Sequence, residues 1–97
     1  MWVINTEEQI ESPFTFRILS GAIKTIGRAP RADFIVDAAL VSRVHCRLTA
    51  GVVDLEVVDL ESTNGTFVNG SREKKTALKP GDEVQMGKLR LRVTLPT

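Results

Sequence analysis

The sequence is 97 residues long, enough for one domain that buries about two-thirds of its unfolded surface in its own core. Hydrophobic residues make up 42% and charged residues 26%, a balance typical of a globular chain rather than a disordered one. Thirteen basic and twelve acidic side chains leave a formal charge of +1, which argues against a general nucleic-acid or membrane-surface binder.

The cysteine content and the lengths of the apolar runs indicate the cellular compartment in which the protein is expected. The single cysteine, Cys46, cannot form an internal disulfide, which favours a reducing environment. The opening MWVINTEEQIESP lacks the pattern of a secretory signal, and no apolar run is long enough to span a bilayer. We therefore expect a cytoplasmic or otherwise intracellular protein.

Alternation of apolar and polar residues with a period of two predicts strands along most of the chain. In chain order the candidates are MWVI, FTFRI, KTIG, DFIV, VVDLEVVD, GTFV, DEVQM and KLRLRVTL. Glycine, proline and asparagine signals separate them, a pattern typical of an all-β sandwich or barrel. The expected inward-facing residues are Phe14, Phe16 and Ile18, then Val53, Leu55 and Val57, then Leu89, Leu91, Val93 and Leu95.

The segment DAALVSRVHCRLTAG, residues 37–51, fits two structures. As a helix it would begin at an Asp37 cap, end before Gly51 and have an apolar face. As a loop followed by a strand from about Val44, it would alternate between the two faces. The strand interpretation has Val44, Cys46 and Leu48 inward and His45, Arg47 and Thr49 outward. The β-branched residues favour the strand slightly, but periodicity alone leaves both interpretations open.

The string ESTNGTFVNG, residues 61–70, contains two Asn-Gly pairs, and Asn-Gly is a strong signal for a tight turn. Ser62, Thr63 and Thr66 surround the first pair. The string is therefore either a pair of turns or a turn preceded by a loop that presents hydroxyls and an amide.

Four strings occur in order along the chain: IGR at 26–28, SRVH at 42–45, STNGTFVNG at 62–70 and LKPGDEVQMG at 78–87. Together they resemble the forkhead-associated (FHA) domain, a module that binds phosphothreonine peptides. The resemblance implies an all-β sandwich of about eleven strands with its recognition loops at one end. It implies one FHA domain over residues 1–97, either complete or a fragment of a larger protein, and a loop followed by a strand within residues 37–51.

A phosphothreonine side chain is close to a dianion with three acceptor oxygens, and a guanidinium offers it two parallel donors. The resemblance implies that Arg28, Ser42, Arg43 and Thr63 bind the phosphate and that Asn64 binds the peptide main chain. All five residues match the family's pattern.

Further roles surround these residues. The resemblance implies that Gly27, His45 and Gly65 maintain the loop architecture, with His45 joining the recognition loop to its neighbour by hydrogen bonds. It also assigns the first Asn-Gly pair to the binding loop, which leaves Asn69-Gly70 as an ordinary hairpin turn. Arg31 is expected either to favour acidic residues that flank the phosphothreonine or to be a solvated bystander.

Metal binding and catalysis are not expected. One histidine and one cysteine cannot supply the four ligands of a structural zinc, and no cofactor is implied. Ser42, His45 and Asp59 include the residue types of a hydrolase triad, but no nucleophile elbow or oxyanion glycine cluster accompanies them. Cys46 is interpreted as a small core residue.

The sequence therefore predicts a non-enzymatic reader of phosphothreonine in protein segments, which are products of a serine/threonine kinase. Neither nucleic acid nor membrane is an expected partner. The alternative is a phosphate-independent interaction domain that uses an exposed sheet face, on which Val58 is expected to point outward.

Overall fold

The computed structural model describes residues 1–6 and 13–95 and contains eleven β-strands within them. No described segment forms a helix, so the described residues include no helix that could span a membrane. The strands are β1 (Trp2–Thr6), β2 (Thr15–Ile18), β3 (Ile23–Gly27), β4 (Phe34–Ile35), β5 (Cys46–Ala50), β6 (Leu55–Asp59), β7 (Thr66–Val68), β8 (Ser71–Arg72), β9 (Lys75–Leu78), β10 (Glu83–Met86) and β11 (Leu89–Thr94).

The strands form two sheets, so the predicted β-sandwich is confirmed. One sheet has six strands in the order β2-β1-β11-β10-β7-β8, and the other has five in the order β4-β3-β5-β6-β9. All the strand pairs are antiparallel except β3 with β4. The helix interpretation of residues 37–51 is wrong, because this segment is a loop followed by β5.

The core lies between the two sheets, where alternate side chains of facing strands pack together. The Trp2 indole is fully buried and donates a hydrogen bond of 2.8 Å to the Gly51 carbonyl, which satisfies its N–H. Phe16 of one sheet stacks on Phe34 of the other with ring centroids 4.2 Å apart. The largest fully buried apolar side chains are Trp2, Ile4, Ile18, Ile26, Leu48, Leu55, Leu78, Met86, Leu91, Val41 and Val57.

Strand register places three loops at one end of the sandwich. Ile26 near the end of β3 is opposite Cys46 at the start of β5, and Cys46 is opposite Asp59 at the end of β6. The loops over residues 28–33, 36–45 and 60–65 therefore meet at the same edge. We call these three segments the recognition loops.

Three of the predicted side-chain orientations are wrong. Val44, expected to point inward, is only half-buried and does not belong to the core. Val53, expected in the core, is 76% exposed, because the Gly51 amide bonds the Asp54 carbonyl and β6 begins only at Leu55. His45, expected to point outward, is fully buried, because β5 begins at Cys46 and the strand alternation does not extend to His45. All three residues lie outside the strands, so loop geometry rather than period-two patterning orients their side chains.

The Asn69-Gly70 turn is confirmed as the tip of the β7–β8 hairpin. Asn69 has φ 49° and Gly70 has φ 87°, the left-handed pair that a two-residue hairpin loop requires. Strands β8 and β9 were not among the candidates taken from periodicity. Both residues of β8 are exposed and β9 buries only Leu78 fully, so neither has the alternation of a core strand.

Candidate functional site

The recognition loops enclose an open pocket of about 400 Å³ at the end of the sandwich. All four residues predicted to bind phosphate line it, and Arg31 lines it with them. Asn64 is not part of the lining but lies in the same loop as Thr63. The complete lining set is Arg28, Arg31, Ser42, Arg43, Val44, Leu60, Glu61 and Thr63.

Arg28 is held at the pocket by its own loop contacts. Its backbone amide donates to the Ser42 carbonyl at 3.0 Å, and its side-chain Nε donates to the Val41 carbonyl at 3.0 Å. The Nε bond orients the guanidinium and leaves both terminal nitrogens without a partner among residues 1–6 and 13–95. Arg28 is thus prepared to offer a paired donor to an anion.

Ser42 and Thr63 join two of the recognition loops. The Thr63 backbone amide donates to Ser42 Oγ at 3.1 Å. Because that bond uses the oxygen as an acceptor, the Ser42 hydroxyl hydrogen can still be donated to a ligand. The exposed Arg43 follows Ser42 directly and contributes a second guanidinium to the same pocket.

His45 joins the same two loops from beneath. The Ser42 amide donates to His45 Nδ1 at 3.0 Å, so that nitrogen must carry a lone pair. The proton therefore lies on Nε2, which donates to the Gly65 carbonyl at 2.8 Å. A neutral, fully buried imidazole thus fixes the spacing between the segments that contain Ser42 and Gly65.

Two glycines occupy crowded positions at the recognition loops. A Cβ on Gly27 would lie 2.1 Å from the Arg43 carbonyl oxygen, so only glycine allows β3 to reach this loop. Gly65 has φ 88°, a left-handed conformation, and a Cβ there would meet the Arg72 side chain at 2.6 Å. Both glycines lie where the resemblance placed loop-architecture residues.

A carboxylate braces the loop that carries Thr63 and Asn64. Asp59 accepts hydrogen bonds from the Ser62 hydroxyl, the Thr66 hydroxyl and the Ser62 backbone amide. The Ser62 hydroxyl oxygen in turn accepts a hydrogen bond of 2.9 Å from the Gly65 amide. Burial acts to raise the pKa of Asp59, but these hydrogen bonds outweigh it and hold the pKa below its ordinary value. The loop therefore rests on an ionised Asp59.

Asn64 also contacts the loop before Ser42. Its Nδ2 donates to the Leu40 carbonyl at 3.0 Å, which orients the exposed amide between two recognition loops. An amide has two N–H donors and a carbonyl acceptor, so this contact leaves capacity for a peptide main chain.

Among the described residues, the side chains of Ser42, His45 and Asp59 form no hydrogen bond with one another, and the bond between Ser42 and His45 uses the Ser42 backbone amide. Ser42 Oγ accepts from the Thr63 amide, the His45 ring bonds backbone atoms, and Asp59 bonds Ser62 and Thr66. Burial, with Asp59 nearby, raises the pKa of the Cys46 thiol to about 12, which keeps it protonated. The hydrogen bonds therefore favour a binding pocket over a nucleophilic centre.

Sequence reasoning missed some residues of the site. Val41 and Leu40 act through backbone carbonyls, which no side-chain pattern reveals. Glu61 lines the pocket in a left-handed conformation with φ 56°. The sequence offered one signal, the position of Glu61 at the start of the ESTNGT string. Its positive φ, which is uncommon for a non-glycine residue, became visible only in the structure.

The fold and the pocket define a class of protein: a β-sandwich with a loop-built, arginine-rich pocket at one end. The sequence model of the FHA domain matches residues 24–87, which is most of the chain. The chain belongs to the FHA domain family. An FHA domain solved in a study of phosphothreonine-dependent FHA domain interactions superposes with a TM-score of 0.84 and 25% identity, covering 99% of this chain and 97% of that one.

Curated bacterial proteins are also similar to this chain. The oxoglutarate dehydrogenase inhibitor of Corynebacterium efficiens is 40% identical over 76% of this chain and 52% of its own length. The glycogen accumulation regulator GarA of Mycobacterium tuberculosis is 42% identical over 76% of this chain and 46% of its own. The chain thus spans about half the length of these relatives.

Proposed function

We propose that this FHA domain binds phosphothreonine in segments of partner proteins. The observation that carries the proposal is the convergence of Arg28, Ser42, Arg43 and Thr63 on one open pocket. Two guanidinium groups and two hydroxyls suit a phosphate that carries nearly two negative charges and three acceptor oxygens. The solved FHA domain connected with phosphothreonine-dependent interactions supports this assignment.

Asn64 is proposed to bind the peptide main chain beside the phosphate. The amide lies on the loop that carries Thr63, and its bond to Leu40 limits its rotation. Gly27, His45 and Gly65 are proposed to act indirectly, because their contacts join the loops rather than line the pocket.

The domain is proposed to act as a non-catalytic regulatory module. Its relatives include an enzyme inhibitor and a regulator, and the described residues supply hydrogen-bond donors rather than an activated nucleophile. Its partners would be intracellular products of a serine/threonine kinase, and the single unpaired cysteine suits a reducing compartment. Residues 1–97 are proposed to form one domain, either complete or part of a longer protein.

The test compares phosphothreonine peptides with their unphosphorylated counterparts, first as an oriented library and then by calorimetry on single sequences. Charge-assisted hydrogen bonds contribute about 1.5–3 kcal/mol each, so loss of a bidentate Arg28 contact should weaken binding about a hundredfold or more. Arg28→Ala is compared with Arg17→Ala, which removes the same charge from an exposed residue of β2 outside the pocket.

Arg17→Ala should bind within a factor of about two of the wild type, because Arg17 lies on the edge strand β2 and does not line the pocket. Equal affinity for phosphorylated and unphosphorylated peptides would contradict phosphate recognition and favour binding through a sheet face. Binding by Arg28→Ala within about threefold of the wild type would contradict the role of Arg28 alone.

A further inference from the structure

Glu61 combines an unusual backbone conformation with an unusual position. Its φ of 56° lies in the left-handed region, where a side chain with a Cβ is disfavoured. Among the described residues, the other non-glycine residue with positive φ is Asn69, which has the turn chemistry for it. Glu61 has no such local reason, and strained residues of this kind cluster at binding sites.

Glu61 lines the same pocket as three arginines. Arg28, Arg31 and Arg43 contribute positive charge, and Glu61 is the acidic member of the lining. Within residues 1–6 and 13–95, Glu61 forms neither a hydrogen bond nor an ion pair, so the arginines do not neutralise it. The exposed pocket thus carries both signs of charge, held apart on different loops.

A phosphate bound by the arginines would place two negative charges in a pocket that the acidic residue Glu61 already lines. The carboxylate therefore weakens the attraction that the three arginines provide, and a positive charge on the ligand would offset this repulsion. A lysine or arginine close to the phosphothreonine would attract both the carboxylate and the phosphate, whereas an acidic or neutral residue there would leave the repulsion in place.

We infer that Glu61 is a specificity-determining residue that selects phosphothreonine peptides with a basic side chain next to the phosphorylated residue. The inference rests on the proposed function and adds the ligand's charge pattern to it. Arg31 lies on the loop after β3 and Glu61 on the loop after β6, so the two residues would act on different flanking positions. The preferred ligand carries a cation on the Glu61 side of the phosphate.

The experiment uses phosphothreonine peptides with alanine at all flanking positions, and variants in which one flanking position at a time becomes lysine. The wild type should bind one lysine peptide about fivefold more tightly than the alanine peptide, which corresponds to about 1 kcal/mol. In Glu61→Gln this ratio should fall to about one, and the alanine peptide itself should bind more tightly because repulsion is removed.

Glu56→Gln is the matched control, because it removes the same charge from the outer face of β6, where Glu56 pairs with Lys75 at 3.7 Å. It should retain the lysine preference. Glu61→Gly separates the effect of the carboxylate from the effect of the backbone conformation, because glycine adopts a positive φ without a steric penalty. This variant should lose the preference as Glu61→Gln does.

Three outcomes distinguish the inference from the proposed function. A wild type that binds the alanine phosphopeptide but shows no lysine preference at any position overturns the inference alone. A preference retained in Glu61→Gln, or lost equally in Glu56→Gln, also overturns it. A wild type that binds no phosphothreonine peptide overturns the proposed function, and with it the inference.

Discussion

At the scale of single residues, a buried side chain joins two of the recognition loops. His45 is fully buried beneath two recognition loops, where it accepts from the Ser42 amide and donates to the Gly65 carbonyl. A residue predicted to face solvent is thus an internal brace. We therefore expect His45 to affect binding only through the positions of the residues that it holds.

Substitution of His45 by alanine should therefore reduce stability and phosphopeptide affinity together. The Ser42 amide and the Gly65 carbonyl would lose their partner, and each unpaired buried group costs about 1–3 kcal/mol. Thermal unfolding and calorimetry on the same preparation measure both effects. His45→Gln, which can restore one of the two bonds, should recover part of each.

An unchanged melting temperature with binding abolished would point to direct contact between His45 and the ligand. Lower stability with wild-type affinity would show that the loops keep their spacing without the imidazole. Either result would contradict the bracing role.

At the scale of elements, the site requires close approach between the end of β3 and the loop before β5. Gly27 makes this possible, since a Cβ there would lie 2.1 Å from the Arg43 carbonyl oxygen. The β7–β8 turn also contains a glycine, Gly70, but a Cβ there would meet nothing within 4 Å. Glycine is thus required at position 27 for close packing and at position 70 for its positive φ.

Gly27→Ala should displace the loop that carries Ser42 and Arg43 and thereby affect folding and binding together. Overpacking of this kind costs about 1–3 kcal/mol of stability. Misalignment of even one charge-assisted bond should weaken phosphopeptide binding by about tenfold. Urea denaturation and calorimetry measure the two changes.

Gly70→Ala is the control for this prediction. Alanine at a positive φ should cost about 1–2 kcal/mol of stability, but affinity should stay unchanged because Gly70 does not line the pocket. If Gly27→Ala bound as tightly as Gly70→Ala, the close approach at Arg43 would not be a requirement of the site.

At the scale of the whole molecule, stability is linked to pH through the network under the Thr63 loop. Hydrogen bonds from Ser62 and Thr66 hold the pKa of Asp59 below its ordinary value in spite of burial. A carboxylate with a lowered folded-state pKa stabilises the fold above the unfolded-state pKa of about 3.9. That contribution is lost as the pH falls through the lower, folded-state pKa.

The free energy of unfolding should therefore fall below about pH 4, and Asp59→Asn should reduce the slope of that decline. Urea denaturation across an acidic pH series measures the slope, and NMR titration of the Asp59 carboxyl checks the cause. Thr66→Val removes one hydrogen-bond donor and should raise the titration midpoint of Asp59. A midpoint at or above the ordinary value in the wild type would contradict the prediction.

Most of the fold could be predicted from sequence because its strands have one buried and one solvated face. Period-two alternation located strands such as β11, and the Asn69-Gly70 pair located a hairpin. The exposed two-residue β8 lacks such a pattern. Val53 followed the alternation in sequence but lies in a turn, because periodicity does not mark where a strand begins.

The sequence by itself determined the sandwich and the residues proposed to bind phosphate, because short motifs and alternation are local properties of the chain. Only the tertiary structure decided that His45 is buried, that Gly27 meets Arg43 and that Glu61 shares a pocket with three arginines. These are contacts between segments distant in sequence. Strand register creates them by placing the ends of β3 and β6 beside the start of β5, and no local pattern encodes the distances between loops.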